Sequence, residues 1–137
     1  MEAGRINKFF HTDEFVCKCG CGIVNLDTDF LNWLTAARRI ADVPFYINSG
    51  CRCPTHNKAE GGTATSAHIT TDVIQARGSD IEAKTVEVVL AILFGALTAG
   101  IPGIALGLGF VHLDTKNRKM IRCNAAFTLT KSGLYLV

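Results

Sequence analysis

Apolar residues recur at helical spacing between Thr28 and Ala41, at Phe30, Leu31, Trp33, Leu34, Ala37, Ile40 and Ala41, which predicts an amphipathic helix. Asp27 and Thr28 supply a capping side chain at its start, and Asp42-Val43-Pro44 ends it. Before it, Phe9 to Phe15 reads as a lead-in segment with Thr12, Asp13 and Glu14 as turn or cap residues. After it, Phe45-Tyr46-Ile47-Asn48 predicts a short strand. Ser49 to Ser66 is rich in Gly, Thr, Pro and Asn and predicts a loop. His68 to Ala76 alternates and predicts a second strand. A helix over roughly Ile81 to Ala99 is expected next, then a turn and a buried strand through Gly109 to Asp114. A basic turn at Lys116 to Lys119 and one or two edge strands from Met120 to Val137 complete the layout. The elements describe an α+β domain, a small antiparallel sheet with helices packed on one side.

At 137 residues, 48% hydrophobic and 19% charged, the chain is expected to be one folded domain over residues 1–137. A net charge of +2, with no Lys/Arg stripe interleaved with aromatics, argues against nucleic acid as a partner. From Val88 to Val111 no residue is charged, a stretch long enough to span a bilayer. Gly95, Gly100, Pro102, Gly103, Gly107 and Gly109 interrupt it, so a membrane partner is not expected. Met1-Glu2-Ala3-Gly4-Arg5 lacks the apolar core of a secretory signal, so cytoplasmic synthesis is the expectation. Oligomeric state is not legible.

The cysteines are Cys17, Cys19, Cys21, Cys51, Cys53 and Cys123. Cys17-Lys18-Cys19-Gly20-Cys21 is dense enough to raise a structural zinc site, with Cys51 and Cys53 as further ligands. The C-x-C-x-C spacing is not the two-residue interval by which zinc knuckles wrap an ion. The favoured reading is therefore small, soft, buried side chains around a tight glycine turn.

Two histidines stand in polar, turn-flanked settings, in Ser66-Ala67-His68 and in Phe110-Val111-His112-Leu113-Asp114. Singly, His68 reads as a loop residue and His112 as a satisfied core histidine. The other two carry less: His56 reads as a surface or supporting residue, and His11 has no evident partner. Together with Ser49-Gly50-Cys51-Arg52, His56-Asn57 and Gly61-Gly62, His68 and His112 form a series that resembles the zinc D-Ala-D-Ala carboxypeptidase and L-Ala-D-Glu endopeptidase family. These are cell-wall peptidases sharing a fold with the hedgehog signalling domain, and many phage lysins look like this. The resemblance also takes in Glu14 to Gly22 and so covers residues from about 9 to 114.

The resemblance implies a Zn²⁺ cofactor held by His68 and His112, the glycine pair shaping the loop beneath the site, and Arg52 as the group that binds a carboxylate or carbonyl of the substrate. Ser66, preceding the first ligand, and Asn57 are carried over as substrate-binding positions. Where the family places its middle ligand, an aspartate at the seventh position after the first histidine, this chain has Gln75. An amide oxygen gives Zn²⁺ far less than a carboxylate. The nearest carboxylate, Asp72, points to the other face if the segment is a strand. No carboxylate stands where relatives keep their general base. Asp114, on the same strand face as His112, is the candidate for that role, or alternatively a group orienting the histidine.

Three functions remain open at this point. The leading one is a zinc metallopeptidase cleaving peptidoglycan stem peptides, an endolysin or wall-remodelling hydrolase acting on the wall after release if phage-derived. The alternatives are a non-catalytic wall- or protein-binding module with a degraded metal site, and a small structural protein whose cysteines hold zinc.

Overall fold

Asp27 accepts the Phe30 N–H and opens α1 (Thr28–Ala41), as its side chain predicts. The helix closes on Asp42, whose φ of 54° is the left-handed conformation that Asp tolerates better than most side chains. A computed structural model describes the backbone of residues 4–116, 120–123, 127–130 and 133–136, and the side chains of residues 4–116. The remaining elements are β1 (Ile47–Ser49), α2 (Pro54–Ala59), β2 (Gly78–Glu82), α3 (Val86–Ala99), β3 (Gly103–Gly107), β4 (Phe110–Asp114), β5 (Met120–Cys123), β6 (Phe127–Thr130) and β7 (Gly133–Leu136). Of the expected basic turn, residues 117–119 lie outside the described residues.

The main sheet runs in the order β1-β2-β4-β3-β5. Its first four strands are antiparallel, while β5 joins β3 in parallel. A separate β6–β7 hairpin follows. The α+β class is as expected.

Strand alternation divides the central sheet into two unlike faces. Ile81, Val111, Leu113 and Ile104 are buried in one cluster with Phe30, Leu34 and Ala37 of α1 and Val89, Ile92 and Ala96 of α3. That is the core face, and both long helices cover it. The opposite face carries Gly78, Asp80, Ala105, His112 and Asp114, with Asp80 and Ala105 each paired directly to His112. On that face β3 contributes only Gly103, Ala105 and Gly107, which leaves room for the large polar side chains of β4. A methyl group on Gly103 would run into the Asp114 carboxylate, and one on Gly107 into the Phe110 ring.

Helices α1 and α3 meet at Gly95, where a Cβ would collide with the Ala37 carbonyl and stand 2.9 Å from Ala41 Cβ. α3 is 14 residues long, and no helix of the described residues is long and apolar enough to cross a membrane. The uncharged stretch is thus split between α3, β3 and part of β4.

Three local expectations are corrected. The segment His68 to Ala76 is not a strand. It holds a turn, two isolated parallel bridges, Ile69 to Arg52 and Ala76 to Leu26, and between them a second turn in which Thr71 Oγ1 accepts the Val73 and Ile74 N–H groups. The strand begins only at Gly78, and the helix expected from Ile81 begins at Val86 because Thr85 caps it. The loop expected from Ser49 to Ser66 contains α2, with Pro54 in its first turn.

Candidate active site

His68 reaches the site through the loop that precedes it. Ser66 Oγ accepts the His68 N–H at 3.2 Å. The Arg52 N–H donates to His68 O and the Thr70 N–H to Arg52 O, both at 2.8 Å. These bonds lock the Arg52 and His68 segments side by side. Beneath them Asn57 is buried and its Nδ2 donates to Thr63 O at 2.9 Å, bracing the loop from below. A methyl on Gly62 would strike that amide, so the glycine is required by close approach. Asn57 is therefore a brace for the His68 loop and not one of the residues lining the cavity at the site.

Three side chains converge on one point: His68, Asp80 and His112, with their donor atoms all within 4.8 Å of one another. Asp80 Oδ1 lies 3.2 Å from His68 Nε2 and 2.7 Å from His112 Nδ1. The opposite nitrogen of each ring is pinned. His68 Nδ1 donates to Gly50 O at 2.7 Å, and His112 Nε2 donates to Asp114 Oδ2 at 2.7 Å. Each ring is thus turned so that one nitrogen faces the common point, the way outer partners orient histidine ligands. The second oxygen of Asp80 is held by Arg52 Nη2 at 3.3 Å, and Arg52 Nε donates to Ser49 Oγ at 2.9 Å. Two imidazoles and a carboxylate on one side of an open cleft form a donor set that fits Zn²⁺ with room for water.

The electrostatics follow from this packing. Burial pushes the Asp80 carboxyl up, but hydrogen bonds from His112 and His68, and the charge on those rings, hold it well below the usual carboxylate range. Burial disfavours charge on His112, yet its hydrogen bonds to Asp114 and Asp80 and their negative charges raise its pKa above 6.5. With a carboxylate on each side, both ring nitrogens donate when the ring is protonated.

Residues 8–114 match the profile of Peptidase M15. The chain belongs to the Peptidase M15 family. No curated protein matches it beyond that. Peptidase M15 members are metallopeptidases, usually of zinc, and the candidate metal site lies inside the matched residues.

Gln75 and Asp114 do not hold the places expected of them. Gln75 is not at the metal site. It sits exposed on the surface turn, where its Nε2 donates to Asn25 Oδ1 at 3.3 Å and Leu26 O at 3.4 Å. The middle carboxylate is Asp80, twelve residues after His68 and not seven, because the Thr71–Gln75 turn delays the strand. Asp72 lies exposed on the same turn. The signal was present: Ala76, Gly78 and Asp80 repeat the small-x-small-x-Asp pattern, displaced toward the C-terminus.

Asp114 is also reassigned. It is fully buried at the far nitrogen of His112, and its Oδ1 accepts the Lys116 N–H at 2.8 Å. It holds the His112 ring from behind and is not among the residues that line the cleft. The cleft itself has a volume of about 370 Å³ and is lined by Arg52, Glu60, Ser66, His68, Asp80 and His112 among others. Glu60, which sequence reasoning missed, brings a carboxylate into this lining; it sits 3.8 Å from His56 Nε2, one turn earlier. His11, for its part, caps a 3-10 turn at Thr12–Glu14.

Proposed function

We propose that this M15 metallopeptidase is a zinc enzyme that cleaves peptidoglycan stem peptides. The observation that carries the reading is the Asp80 carboxylate seated between His68 and His112. It offers a carboxylate as middle ligand where the seven-residue interval gave only Gln75, which supports a catalytic reading over the non-catalytic module. His68 Nε2, Asp80 Oδ1 and His112 Nδ1 would hold the ion. A zinc ion held there would supply Lewis-acid chemistry, polarising a peptide carbonyl and lowering the pKa of a bound water.

The chain's own residues divide the remaining work. Asp114 keeps the His112 proton on Nε2, so that Nδ1 presents its lone pair. Arg52 steadies Asp80 through one nitrogen, and its guanidinium lines the cleft, where it binds a carboxylate of the stem peptide. Glu60, an exposed carboxylate among the residues lining the cleft, is the group we assign to take the proton of the attacking water and return it to the leaving amine.

The test is clearing of a suspension of purified peptidoglycan, followed by mass analysis of the released peptides. Wild type clears it, Asp80→Ala and His68→Ala do not, and Glu60→Gln lowers the rate about 10²-fold or more while zinc content is kept. Zinc-loaded wild type that leaves both peptidoglycan and isolated stem peptides intact refutes the substrate.

A further inference from the structure

A second cluster of soft ligands lies outside the active-site cleft. Cys17, Cys19, Cys21 and Cys53 bring their sulfur atoms within 4.8 Å of one another. Cys17 Sγ to Cys19 Sγ is 3.5 Å, and Cys19 Sγ to Cys53 Sγ is 3.7 Å. A disulfide would need about 2.05 Å. A tetrahedron of thiolates with Zn–S bonds near 2.3 Å has edges of about 3.8 Å. The Cys17–Cys19 and Cys19–Cys53 separations are close to that edge, and all four sulfurs lie within 4.8 Å of one another. We propose that Cys17, Cys19, Cys21 and Cys53 form a second, structural zinc site in this protein.

The local backbone shows how a C-x-C-x-C run does this. Alternate residues of an extended strand stand about 6.6 Å apart, too far for one ion. Here Gly20 (φ 93°) and Gly22 (φ 79°) take left-handed conformations, and the Cys17 N–H donates to Ile23 O at 3.0 Å. The run is thereby curled into a closed loop whose sulfurs face inward. Of the two further cysteines the sequence offered, the fold brings Cys53 and not Cys51 into the cluster. Two peptide N–H groups already point at sulfur: that of Cys53 at Cys17 Sγ and that of His56 at Cys53 Sγ, both at 3.4 Å. Such donors are the outer partners that stabilise metal-bound thiolates. Cys19 and Cys21 are exposed, which contradicts the expectation of buried, inert thiols and gives an ion a route in.

Four thiolates leave no open position, so the site is structural and not catalytic, and soft sulfur selects Zn²⁺ over hard cations. The thiol protons leave to solvent as the metal binds. The ion would join the loop at Cys17–Cys21 to the segment that carries Arg52. That junction is already tight: the Cys51 N–H donates to Phe15 O at 2.8 Å, and a Cβ on Gly50 would stand 2.7 Å from Phe15 Cα. A zinc ion here would anchor the active-site arginine from behind.

The test is metal analysis of the reduced, full-length chain together with its cobalt spectrum. Wild type is expected to carry two zinc ions, and His68→Ala/His112→Ala to keep one. Cobalt-loaded wild type and the histidine variant should both show the intense thiolate-to-cobalt charge-transfer band of tetrahedral sulfur ligation. Cys19→Ser/Cys21→Ser should lose that band and one zinc while retaining the histidine-bound ion. Should that variant not fold, the wild-type and histidine-variant spectra decide alone. A wild-type chain with one zinc and no thiolate band, or a band lost in the histidine variant, overturns the proposal.

Discussion

Replacing Asp114 by asparagine tests the division of labour at the metal centre. The residue is fully buried, with Oδ2 2.7 Å from His112 Nε2 and Oδ1 accepting the Lys116 N–H at 2.8 Å. Asparagine has the same shape but one acceptor oxygen. If that oxygen stays with Lys116, the amide donors face His112 Nε2 and force its proton onto Nδ1, the atom that must bind metal. If it turns to His112, the Lys116 N–H loses this acceptor. Loss of such an outer partner costs about 10- to 100-fold in metal affinity, which is about 1.4–2.8 kcal/mol. The assay is competition for zinc between the protein and a chromophoric chelator, with circular dichroism of the metal-free variant as the control for folding. A general base in the same position would behave differently, lowering turnover with zinc affinity unchanged. A folded Asp114→Asn variant that binds zinc as tightly as wild type refutes the orienting role.

Gln75→Asp, which the seven-residue motif would favour as a repair, is expected to leave zinc affinity at the histidine site unchanged, since residue 75 bonds Asn25 and Leu26 on the surface. Asp80→Ala should weaken zinc more than Asp114→Asn does; the same chelator competition reads both. Because the folded-state pKa of His112 is raised, its contribution to the stability of the metal-free protein is full below about 6.5 and fades as pH rises through the raised value. That of Asp80, depressed, is present above about 3.8 and is lost only as pH falls through its lowered value. Zinc competes with the proton on His112 Nδ1, so the gain in Tm on adding zinc should grow with pH across the neutral range and shrink in acid, as calorimetry would show. Gly95→Ala drives a methyl group into the Ala37 carbonyl at the α1–α3 contact. It is expected to cost about 1–3 kcal/mol and to lower Tm by roughly 3–6 °C per kcal/mol, with zinc content unchanged.

The parts of the fold governed by local rules were legible. α1 was readable because its cap, its periodic apolar face and its terminating Asp42-Val43-Pro44 all agree. β4 was readable from its alternation, and with it the same-face relation of His112 and Asp114. β3 was lost among breaker residues, because glycines 103 and 107 are there to make space for Asp114 and Phe110 and not to make a turn. Asp80 was missed for a related reason. An interval counted along the chain assumes a fixed path between ligands, whereas the path here includes an extra surface turn that local Thr71 bonds stabilise. The convergence of Cys53 on Cys17, Cys19 and Cys21 was not legible, because the C-x-C-x-C interval says nothing of the turn at Gly20 and Gly22 or of the tertiary contact that brings Cys53 in.

The Thr71–Gln75 turn has a use of its own. Ligand geometry is set by backbone bonds on either side of it, Arg52 to His68 and the Arg77 N–H to Ala67 O at 2.9 Å, while Val73 at its tip is 88% exposed. Chain length between the first two ligands is therefore a free variable, since lengthening a loop whose ends are pinned costs little. A short peptide tag or a reporter segment spliced in at Val73 would project into solvent from a turn outside the lining of the candidate metal site.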